Sequence, residues 1–150
     1  MLKVAWYNYR QRGRLFPTPL FVFELHDGIL EEHGGPPGFT DWGQVNSALA
    51  APIRAFDLQE TYPTFFSKVA ALGYLITQNH GFSDANKRVT LLTMETTLVW
   101  NGEYPGWSQE TKVMMMKLLS AGYLTIDGLR FALLAACGYD VDQYHDLHHH

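Results

Sequence analysis

Residues 80–88 read His80-Gly81-Phe82-Ser83-Asp84-Ala85-Asn86-Lys87-Arg88, and the interpretation of the whole chain turns on them. An apolar run with helical spacing precedes them: Phe65, Phe66, Val69, Leu72, Leu75 and Ile76. Another follows, through Val89, Leu92, Thr93, Thr96, Leu98 and Val99. The spacing predicts two helices joined by a short loop that contains the polar cluster. Asp84 and Asn86 suit a helix start, where short polar side chains satisfy free backbone N–H groups. Those N–H groups and the helix dipole also favour a negative guest. Lys87 and Arg88 add full positive charge at the same place, so a phosphate is the natural ligand. Asp84 is a candidate Mg²⁺ ligand, because Mg²⁺ takes one or two carboxylates plus phosphate oxygens. His80 is a candidate general base near neutral pH. Taken singly, each has a structural reading: a loop histidine, an N-cap, a solvated basic face. Their joint spacing at a helix start is what points to an anion or nucleotide site.

The same nine residues resemble the signature of the Fic/Doc family, and specifically its Doc (death-on-curing) branch. The Fic branch reads HPFxxGNGR, with a second arginine three residues on. Here Lys87 stands for its second glycine and Leu91 for its second arginine, as is typical of the Doc branch. The resemblance extends over residues 18–138. It includes His26-Asp27, the loop glycines Gly34, Gly35 and Gly38, Asp41, and Ser47-Ala48-Leu49. It implies an all-α fold. It also implies that His80, Asp84 and Arg88 are catalytic, and that Ala85, Asn86, Lys87 and Arg88 cradle phosphate.

A chain of 150 residues is one domain by size. The net charge of −4 argues against direct nucleic-acid binding, and the single Cys137 excludes an internal disulfide. The reading is therefore a cytoplasmic protein, with no signal peptide and no apolar run long enough to cross a membrane. His148, His149 and His150 read as a tag remnant.

Residues 1–17 form an N-terminal basic extension with Lys3, Arg10, Arg12 and Arg14, read as solvated and partly ordered. Thr18-Pro19 opens a helix that stops before the Gly34–Gly38 loop. His26 on this helix is read as structural, bracing the glycine loop. Asp41 caps a short helix towards Pro52, and residues 52–63 are an extended connector that the resemblance suggests is a target-docking flap. Asn101-Gly102 ends the motif helix, Ser108 caps the next, and Thr125 caps the last before Gly138. The methionine run at 114–116 is read as core filling. The strand signal is weak. The sum is an all-α compact bundle of about six helices at residues 18–138, followed by a tail at 139–150.

For function, the resemblance implies a toxin of a toxin–antitoxin pair. Its reaction would be transfer of the ATP γ-phosphate, with Mg²⁺, to a Thr or Ser hydroxyl of a translation factor, namely elongation factor Tu. Two alternatives stand beside it: a Fic-type AMP-transferase, and a non-catalytic binding module of the same fold. None of the glutamates is followed by Gly or Asn, so the family's inhibitory pattern [ST]-x-x-x-E-[GN] is absent. A cognate antitoxin that folds on binding is then the expected inhibitor.

Overall fold

The computed structural model describes residues 7–11, 13–33, 62–80 and 84–140, with the side chains of 19, 23, 30–33, 78–80 and 84–86 excepted. These residues form two strands, β1 (Asn8–Gln11) and β2 (Arg14–Pro17), and five helices. The helices are α1 (Pro19–His33), α2 (Phe65–His80), α3 (Asp84–Trp100), α4 (Gln109–Ser120) and α5 (Ile126–Ala136). The all-α bundle is as expected, with a small hairpin added to it. The glycine loop, the Asp41 helix and most of the flap segment lie outside the described residues.

Local chemistry sets the helix starts. Phe21 donates its backbone N–H to Thr18 Oγ1 at 3.4 Å, with Pro19 as the first helical residue of α1. At α2, Ser67 N–H donates to Thr64 Oγ1 (3.2 Å) and Thr64 N–H donates to Ser67 Oγ (2.9 Å), a reciprocal cap. Ser108 accepts from Thr111 N–H and Thr125 from Gly128 N–H, as the sequence predicts. Gly102, at φ +80°, closes the end of α3 in a conformation that a Cβ would oppose.

The helices pack around α2 and α3. The larger core joins Phe65, Phe66, Val69 and Ala70 of α2 to Met94 and Leu98 of α3, to Met115, Met116 and Leu119 of α4, and to Leu129, Leu133 and Leu134 of α5. A smaller cluster joins Leu72, Ile76 and Val89 to Val22 and Ile29 of α1. Between the two, Gly73 lets α2 approach α3: a Cβ there would meet the Met94 Sδ and would lie 2.8 Å from its Cγ. The methionine reading holds for Met115 and Met116, which are buried, whereas Met114 is exposed.

The N-terminal stretch departs from its expectation. Residues 8–11 and 14–17 pair as an antiparallel hairpin, with Gln11 opposite Arg14 and Tyr9 opposite Phe16, and Gly13 before β2 is at φ +79°. Phe16 is 2% exposed and belongs to the larger core. Asn101 anchors the hairpin from the end of α3. Its amide donates to Leu15 O (2.8 Å) and Thr97 O (2.7 Å), and its carbonyl accepts from Leu15 N–H (2.8 Å). Arg14 lies over the Phe65 ring at 4.4 Å, so this charge covers an aromatic face and is not part of a solvated arm.

Candidate active site at the start of α3

Helix α2 ends at His80 and α3 begins at Asp84, so three residues join two packed helices. This places His80 and Asp84 at the two ends of one tight connection. Gly81, Phe82 and Ser83 lie outside the described residues, as do the side chains of His80, Asp84, Ala85 and Asn86. What is described is the scaffold that carries them. Three residues before His80, the buried Thr77 hydroxyl donates to Thr90 Oγ1 of α3 at 3.3 Å. Ile76 and Val89, both 0% exposed, share one apolar cluster. The facing ends of α2 and α3 are thereby joined by a hydrogen bond and by apolar packing.

Asp84, Ala85 and Asn86 form the first turn of α3, where backbone N–H groups have no intrahelical acceptor. Lys87 is half-buried and Arg88 exposed, and both line a cleft of about 360 Å³ between α3 and α4. Leu91, Val113 and Met116 give this cleft an apolar floor, while Gln109, Lys112 and Lys117 of α4 complete its described lining. Lys87 and Arg88 of α3 and Lys112 and Lys117 of α4 therefore line one concavity. Cationic side chains of this kind can pair with phosphate oxygens.

Sequence reasoning missed the contribution of α4. Lys112 and Lys117 are five residues apart, so no single helical stripe groups them. Only the packing of α4 beside α3 brings them to the cleft. Glu95 of α3 assists: its Oε2 takes the Trp107 indole N–H at 2.8 Å and lies 3.1 Å from Lys112 Nζ.

Two other reactive groups are set aside by their surroundings. Burial, with the Glu103 carboxylate adding to it, pushes the Cys137 thiol up to about 12, so it is not a nucleophile at neutral pH. His26 is 2% exposed, and burial holds its pKa below the ordinary histidine value against the opposing pull of Asp27, 3.9 Å away. It is a buried residue of α1 and belongs with the structural reading. The glycine loop it was expected to brace lies outside the described residues.

Two comparisons with known proteins bear on the family. The Fic/DOC family profile matches residues 17–98. The chain is also 31% identical over 85 residues to the protein kinase doc of Escherichia phage P1, an alignment covering 57% of this chain and 67% of that protein. The family match holds all of α2, α3 as far as Leu98, and the connection between His80 and Asp84. With the Asp-Ala-Asn-Lys-Arg helix start at residues 84–88, these matches establish that the chain belongs to the Fic/Doc family, in its Doc branch.

Proposed function

We propose that this chain is a Doc-type toxin of a toxin–antitoxin pair, acting as a kinase on a protein hydroxyl. The observation that carries the reading is the start of α3, where Lys87 and Arg88 turn into a cationic cleft beside the helix's open N–H groups. Phosphoryl transfer asks mainly for positioning and charge neutralisation, and this is what such a site supplies. His80 accepts the proton of the attacking Thr or Ser hydroxyl. Arg88, with two parallel donors, and Lys87 hold the phosphate oxygens, and Asn86 with the N–H groups of residues 85–87 completes the cradle.

ATP is the donor. The donor set fits Mg²⁺, since one carboxylate, Asp84, opens the helix next to a phosphate site; the ion would supply charge neutralisation on the nucleotide. Lys87 occupies the place of the second motif glycine, and Leu91 replaces the second arginine. A site that loses room on one side and a cation on the other favours presenting the γ-phosphate over the α-phosphate. The acceptor in this reading is elongation factor Tu, whose modification stops translation, and a cognate antitoxin restrains the activity.

The test is expression in cells. Wild type should arrest growth, His80→Ala should not, and elongation factor Tu from arrested cells should gain the mass of one phosphoryl group. A gain of one AMP instead would reassign the protein as an AMP-transferase. Equal growth with wild type and His80→Ala would point to the non-catalytic module.

A further inference from the structure

Helix α4 carries apolar residues on two sides. Met115, Met116 and Leu119 are buried in the larger core. Val113, Met114 and Leu118 are exposed, Met114 by 60%. With the exposed Glu110 and Lys117 they recur at i, i+3, i+4, i+7 and i+8, which is one stripe of a helix. Four of these residues, with Gln109, line a concavity of about 290 Å³ on that face. A single exposed apolar side chain is ordinary, but a stripe of them on a helix whose other side is already buried marks a contact surface.

The order of the charges narrows the partner. Glu110 and Lys117 have opposite sign and stand equally far from the midpoint between Val113 and Met114. Along the axis they are about 10 Å apart, too far to pair within one helix. An antiparallel second copy of α4, turned about that midpoint, sets Glu110 of each copy against Lys117 of the other. Val113 then meets Met114 at the centre, and Gln109 meets Leu118. A parallel copy would instead set Glu110 against Glu110 and Lys117 against Lys117. The face is therefore complementary to itself in the one orientation that a two-fold axis requires. Methionine, unbranched and polarisable, adapts readily to a contact of this kind.

We infer that the outer face of α4 is a self-association surface, joining two copies of this chain about a two-fold axis between Val113 and Met114. The inference does not depend on the kinase reading. Helices of 12 residues make a small interface, of the size found in transient pairs, so the dimer depends on concentration.

Sedimentation velocity of the full chain, from about 1 to about 200 µM, covers the range in which such a pair forms. Wild type should pass from monomer towards dimer across it. Glu110→Lys alone and Lys117→Glu alone each set like charges together at both ends, and each should weaken self-association by about tenfold. An equimolar mixture of the two variants should dimerise as wild type does, because each supplies the charge that the other lacks. Met114→Lys should stay monomeric. These three positions are exposed, so the variants should melt as wild type does. A wild type that stays monomeric throughout overturns the inference and leaves the face to a different protein. A dimer that both charge variants form as readily as wild type overturns it too, because the contact then lies elsewhere.

Discussion

The two ends of the α2–α3 pair are built differently. At the end away from the motif, Phe65, Phe66, Met94 and Leu98 merge with Phe16 of the hairpin and with the buried faces of α4 and α5. At the motif end, among the described residues, Leu72, Ile76 and Val89 meet Val22 and Ile29 of α1. Among the described residues, the large cluster draws on four helices and a strand, and the small one on three helices, so the candidate site stands beside the less extensive of the two. Functional segments are commonly drawn from the less stable end of a fold.

The most severe way to challenge this contrast is Phe66→Ala. Phe66 is fully buried, with ring neighbours Phe65 at 5.5 Å and Tyr139 at 5.8 Å. Its loss should cost about 3–5 kcal/mol in urea unfolding, more than Ile76→Ala in the small cluster. If Ile76→Ala proved the costlier of the two, the small cluster would be the real anchor. Next in size is Asn101→Ala, which removes two hydrogen bonds to the Leu15 backbone of β2 and one to Thr97 O of α3. It should cost about 2 kcal/mol, and hydrogen exchange should localise the loosening to residues 8–17. Transferase activity should survive, because the hairpin lies on the large core and not at the motif.

Thr77→Val, at the base of the motif connection, should have the opposite profile. It removes the 3.3 Å bond to Thr90 and should cost only about 1 kcal/mol, yet lower kcat, since His80 and Asp84 depend on how α2 and α3 meet. Unchanged kcat would remove Thr77 from the support of the site. The smallest effect concerns His26. Burial lowers its folded pKa, so the unfolded chain binds the proton first as pH falls. Stability should hold above the ordinary histidine pKa, near 6.5, and decline as pH drops from there through the lowered folded value. A His26→Gln variant should flatten that decline, as read by melting temperature against pH.

Much of this architecture was legible in residue patterns. Thr18, Ser108 and Thr125 announced their helix starts, and Gly102 and Gly138 their ends, because capping is chemistry local to a few residues. The motif was legible for the same reason, as a contiguous run. The hairpin was not. Arg10, Arg12 and Arg14 read as a solvated arm, since nothing in the sequence says that Asn101 will bind the Leu15 backbone or that Arg14 will cover Phe65. The contribution of α4 was hidden likewise: Lys112 and Lys117 join Lys87 and Arg88 only through tertiary packing.

The measurement that tests the central claim most directly is label transfer in vitro. The purified chain is incubated with Mg²⁺, elongation factor Tu and ATP labelled at either the α or the γ position, with His80→Ala alongside. The account predicts label on the acceptor from γ-labelled ATP alone, abolished in His80→Ala. Label from α-labelled ATP would contradict it, and so would γ-label that persists without His80.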